Sequence, residues 1–186
     1  MSATTHSHVP HVGVWERTHV SRSRGSASGI ALILLGIWGG LIPFVGPLFG
    51  YAYTPSSAWT YTTGRLYLEI LPGAAVILGG LLLLGTASRA VSLFGGWLAA
   101  LGGAWFTVGP VLARFWMGVN PAGVPTGSGT LHVVAEQIGF FTGLGVVVVF
   151  FAAMALGRTS VVSVRDLRPI EEDPERLHRH DERFVE

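Results

Sequence analysis

The chain has 186 residues, of which 49% are hydrophobic and 12% charged, with a formal net charge of +1 and no cysteine. That charge fraction is about half that of an ordinary soluble domain, which points to a membrane, and a near-neutral chain without a basic run argues against nucleic acid as a partner. The missing cysteine excludes disulfides, thiolate metal sites and cysteine nucleophiles.

In chain order, residues 1–29 are polar, and they are expected to form a cytoplasmic, largely disordered tail carrying His6, His8, His11 and His19. Residues 30–50 form the first long apolar run, free of charge. A membrane-crossing helix needs about 20 such residues. The long polar stretch before this run and its length distinguish it from a cleavable signal peptide. Residues 51–65 form a connector rich in Pro, Ser, Thr and aromatic residues. The second span, 66–85, contains only Glu69, and the third, 90–113, contains no ionisable group beyond its ends. A second connector leads to the fourth span, 133–156, whose one charge is Glu136. Residues 157–186 form a second tail, with Asp173-Pro174-Glu175 as the start of a short helix over 174–184. The expected fold is therefore an all-α membrane protein with a four-helix transmembrane domain over residues 30–156.

Arginine sets the expected orientation. Arg17, Arg22, Arg24, Arg89, Arg158, Arg165 and Arg168 fall on one side of the spans, and Arg65 and Arg114 on the other. Both termini are thus expected to be cytoplasmic, in a multi-pass protein of the plasma (inner) membrane. All basic residues other than histidine are arginine, a bias associated with GC-rich bacterial genomes. Tyr51, Tyr53, Trp59, Tyr61 and Tyr67 mark the outer boundary, as interfacial aromatic residues do.

A two-helix unit is written twice. Gly39-Gly40 precedes Val45-Gly46-Pro47 as Gly102-Gly103 precedes Val108-Gly109-Pro110, at one constant offset. Because the unit holds two spans, its second copy re-enters with the same orientation. Small residues four apart (Gly36 and Gly40; Gly95, Ala99 and Gly103; Gly139 and Gly143) are expected to let helix backbones approach. Pro47 and Pro110 are expected to end their helices in kinks, freeing the carbonyls of Pro43 and Phe106.

With Gly36-Ile37-Trp38-Gly39-Gly40 through Pro47 and Gly102-Gly103-Ala104-Trp105 through Pro110, the pattern resembles bacterial SPW-repeat membrane proteins, common in actinobacteria. Gly46-Pro47-Leu48 and Gly109-Pro110-Val111 stand where that family has Ser-Pro-Trp. The resemblance covers the spans and neither tail. It implies the duplicated four-helix architecture and no functional residue.

Ionisable residues inside spans are costly and are candidates for function. Glu69 follows Arg65 by four residues and Glu136 follows His132 by four, spacings that place each pair on one helix face. With Arg114, these residues form a candidate polar ring at the outer mouth, in which Glu69 and His132 hold equivalent places. Glu136, the deeper carboxylate by sequence position, would bind a proton or cation together with His132. The alternative is that all five set helix depth at the headgroups. The tail histidines, with His178 and His180, are expected to be solvated rather than to hold metal, and no cofactor is expected. No HExxH, phosphate loop or GxSxG is present, so an enzyme is not expected. The composition fits a structural or accessory membrane protein whose partners are the bilayer and either a membrane complex or further copies of the chain. The alternative is a small transporter or channel using the outer polar ring.

Overall fold

The computed structural model describes residues 26–86 and 88–160. The histidine-bearing tails, the arginines before residue 26 and after residue 160, and the expected helix over 174–184 lie outside the described residues. Within them the chain is helical, with four helices long and apolar enough to cross a membrane: α1 (Ser26–Phe49), α2 (Thr63–Gly85), α3 (Arg89–Leu112) and α4 (Thr130–Thr159). Each is apolar around its whole circumference, as a helix facing lipid on one side and protein on the other must be. The helices start a few residues before the apolar runs do, because helical hydrogen bonding continues into the polar ends.

The helices pack in sequence, α1 on α2, α2 on α3 and α3 on α4, and α4 returns to α1 to close the bundle. Glycine makes the seams. A Cβ added to Gly73 would lie 3.0 Å from the Gly36 carbonyl oxygen, and one added to Gly79 would lie 2.5 Å from that of Gly95. One added to Gly145 would lie 2.5 Å from the carbonyl oxygen of Gly103. Backbone thus meets backbone, which lets membrane helices gain van der Waals contact without a hydrophobic driving force. Across the centre, Phe106 reaches Gly39, and Leu32, Val76, Phe106 and Val148 are fully buried.

These contacts correct the expected register and seams. The Gly-Gly and Val-Gly-Pro blocks match at a separation of 63 residues, but the packing recurs at a different one. Gly73 rests against Gly36 and Gly40 as Gly145 rests against Gly103 and Thr107, and Leu84 covers Gly29 as Leu156 covers Gly96. First-helix positions thus correspond at 67 residues (36 and 103, 29 and 96) and second-helix positions at 72 (73 and 145, 84 and 156). For the first helices, the packing register differs from the 63-residue block match by about one helical turn. In the packing register Pro43 corresponds to Pro110, and each lies inside its helix. Pro47 instead opens a 3-10 turn, Gly46–Phe49, closed by Gly50 at φ 75°. Gly139 and Gly143 do not form a helix seam: Gly139 makes room for the Tyr51 hydroxyl, and Gly143 faces Ile138 of its own helix.

Two further irregularities interrupt the helices. Residues Leu66–Ile70 of α2 and Ile138–Thr142 of α4 are π-helical, a form that is rare and often found at functional sites. The connectors meet each other. They pair antiparallel through Thr54 N to Val124 O (2.9 Å) and Thr126 N to Ala52 O (3.0 Å), with an isolated bridge between Tyr53 and Pro125. Together they cap one end of the bundle.

Candidate functional site

The polar residues of the spans gather under this cap, but not as one ring. At the start of α2, Thr62 caps the helix by accepting the Arg65 amide at 3.1 Å. The Arg65 guanidinium then turns toward the first connector. It donates to the carbonyls of Thr60 (2.5 Å), Pro55 (2.7 Å) and Tyr53 (3.4 Å), with Phe44's ring 5.7 Å away. Only 4% of Arg65 is exposed, and its planar fork suits several carbonyls at once.

Glu136 does the complementary work from α4. Its fully buried carboxylate accepts the amides of Ala52 (3.0 Å) and Gly127 (3.1 Å), and the Thr126 hydroxyl, 3.4 Å away, donates more closely to the Ala52 carbonyl at 2.9 Å. One carboxylate therefore joins both connectors to the helix. His132 Nε2 lies 3.6 Å from Glu136 Oε1, with the histidine side chain 44% exposed. The Tyr51 hydroxyl donates to the Ala135 carbonyl at 2.5 Å, and beneath the cap the Phe140 ring stacks on Tyr51 while Tyr53 meets Phe140 at a tilt and Phe141 edge-on. Burial, and then the Glu136 carboxylate, push both phenols up, Tyr53 to about 12 with smaller contributions from Tyr51 and Glu69.

Glu69 is placed differently. It is 1% exposed, and its Oε2 has no hydrogen-bond partner among the described residues. The expected Arg65–Glu69 pair does not close to ion-pair distance; His132–Glu136 is the pair that does among the described residues. The intervening turn is π-helical, so residues four apart no longer stack, and the connector carbonyls take the guanidinium.

Each carboxylate is the seventh residue of its helix, and the two differ in their surroundings. Glu136 meets connector backbone, whereas Glu69 lies between Tyr67, which bonds to Trp105, and Pro72, whose carbonyl faces Gly102. At the 72-residue packing separation of the second helices, Glu69 stands against Phe141. Arg114 is exposed in the short helix Arg114–Met117 and makes no hydrogen bond or ion pair among the described residues. The structure thus joins His132 with Glu136, sets Arg65 to a separate task, and leaves Glu69 alone and Arg114 outside.

Two residues that carry polar contacts were not singled out from sequence. Trp105 donates its indole N–H to Tyr67 O at 2.8 Å, and Trp38 donates to Gly139 O at 3.1 Å. A tryptophan inside an apolar span always has an N–H to satisfy, which was the available signal. Comparison with protein-family models, curated proteins and solved structures gave no match.

Proposed function

We propose that the chain is a small multi-pass protein of a bacterial plasma membrane with a structural or accessory role in the envelope or in a membrane complex. The observation that carries this reading is the Glu136 carboxylate, which binds backbone amides of both connectors. Arg65 likewise spends its donors on connector carbonyls. Polar groups that a translocation path would keep for a substrate here fasten the protein to itself.

The same reading places both termini in the cytoplasm, on the arginine asymmetry, and derives the two hairpins from a duplication, on the contacts that recur at 67 and 72 residues. The resemblance to SPW-repeat proteins belongs to this proposal and supports the same architecture. Bilayer-facing side chains such as Phe94, Trp97 and Leu101 offer apolar surface to lipid, to a membrane partner or to further copies.

Affinity purification from native membranes in mild detergent tests the role. Stable co-purifying membrane proteins, together with no ion flux when the chain is reconstituted alone, are the expected result. A monodisperse oligomer of this chain that conducts ions would replace the reading with the second one, a small transporter or channel. The unpartnered oxygen of Glu69 is the observation that favours that alternative.

A further inference from the structure

We propose that Glu69 is a proton-binding site in the interior of the bundle, with its carboxyl group held in the acid form. The inference concerns occupancy by a proton and holds whether or not an ion crosses the membrane, so it stands apart from the accessory role.

Glu69 is buried on every side, yet Oε2 meets no donor among the described residues. An ionised carboxylate in such a place would lose its hydration and gain only the attraction of Arg65, which stays beyond ion-pair distance; a neutral acid avoids most of that cost. The contrast with Glu136 is internal to the same protein. Glu136 is equally buried, and two backbone amides converge on it, donors of the kind an anion needs.

The groups facing Glu69 from each neighbouring element agree with this. On its own helix, Arg65 is the nearest cation, but both terminal nitrogens of its guanidinium turn to Thr60, Pro55 and Tyr53 of the connector. The connector contributes Tyr53 and Tyr51, both neutral phenols at physiological pH. Within α4 the titratable groups on this side are His132 and Glu136, which engage each other. Helix α1 has no titratable side chain, and α3 has only Arg89 at the far end.

A metal cation is a poorer occupant. It would require several oxygen ligands, but no cluster of three or more His, Cys, Asp or Glu occurs among the described residues. The nearby Tyr67 carbonyl is already taken by Trp105. The π-helical turn holding Glu69 is a local irregularity of the kind that accompanies sites.

Labelling with dicyclohexylcarbodiimide tests the proposal on the full chain reconstituted in lipid vesicles. A protonated carboxyl adds across one C=N bond of the reagent, giving its proton to nitrogen, and the O-acylisourea rearranges to a stable N-acylurea. An ionised carboxylate has no proton to give. At neutral pH, peptide mapping should find most chains modified at Glu69 and Glu136 unmodified in the same digest, with Glu69 labelling falling as pH rises. The wild-type infrared spectrum should contain the carbonyl stretch of a protonated acid, and Glu69→Gln should lose it. An unmodified Glu69 with no acid carbonyl band overturns the proposal. So does labelling that sodium ions suppress at constant pH, which would make the occupant a cation.

Discussion

The indole N–H of Trp105 donates to the carbonyl oxygen of Tyr67 at 2.8 Å, at the one carbonyl that the π-helical turn of α2 passes over. The Leu71 amide reaches back to Leu66 O, and the next residue, Pro72, has no amide to give. In α4 the Gly143 amide reaches Ile138 O, and the following carbonyl, Gly139 O, accepts from Trp38. Each hairpin thus completes the broken helix of the other, as freed carbonyls in an apolar setting require. Trp38 and Trp105 stand 67 residues apart, the packing register of the first helices.

Trp105→Phe should remove that bond while keeping an aromatic ring in place. An unsatisfied buried carbonyl costs about 1–3 kcal/mol, whereas interhelical hydrogen bonds in membranes average roughly 0.6 kcal/mol. We expect about 1–2 kcal/mol for Trp105→Phe and less for Trp38→Phe, because no proline follows the π turn in α4. Unfolding in mixed detergent micelles measures both.

Glu136→Ala should loosen the cap rather than the bundle. It strips the acceptor from two backbone amides, at about 1–3 kcal/mol for each buried donor left unmet. The expected outcome is faster proteolysis within residues 50–62 and 118–129, with little loss of helical circular dichroism. Cleavage unchanged from wild type would mean that the carboxylate does not hold the connectors.

Tyr53 makes alkaline stability testable. Its phenol is raised from an ordinary value of about 10 to about 12 in the folded protein, first by burial and then by Glu136. The neutral phenol is therefore the form that the fold favours. Its contribution is complete below about pH 10 and is lost as pH rises through about 12. Tyrosinate absorbance should show a late-titrating component in the wild type that is missing in Tyr53→Phe.

The seam glycines should divide into two groups. At Gly79 a Cβ would strike the Gly95 carbonyl, so Gly79→Val forces the helices apart and should cost about 1–3 kcal/mol or more. At Gly40 a Cβ would meet nothing within 4 Å, so Gly40→Ala should be neutral or stabilising by a few tenths of a kcal/mol. Thermal denaturation in detergent distinguishes the two.

The four spans were legible because apolar length and sparse charge are properties of the chain itself. Residues such as Ile30, Leu81 and Val146 need no partner to declare a helix in lipid. Small residues likewise announced close packing, and Gly36, Gly95 and Gly103 do lie at helix contacts. The matched Gly-Gly and Val-Gly-Pro blocks drew the register one turn away from the packing, since like residues need not meet like neighbours.

The candidate site was legible in its residue types and not in its connections. Spacing of four placed Glu69 under Arg65, but a π turn and a set of loop carbonyls drew the guanidinium elsewhere. Spacing paired Glu136 with His132, and it gave no sign that the chain also folds Ala52 and Gly127 onto it.

By itself, the sequence determined that this chain forms four membrane-length helices with glycine contacts and few, costly charges. Only the tertiary structure decided which charges are satisfied. Some hydrogen bonds at this site join residues more than 80 positions apart, such as Ala52 to Glu136 and Trp38 to Gly139. A local pattern carries no information about which backbone group arrives from so far away. Hydrophobicity acts residue by residue and can be read along the chain, whereas a hydrogen bond requires two groups within about 3 Å, and folding alone brings them there.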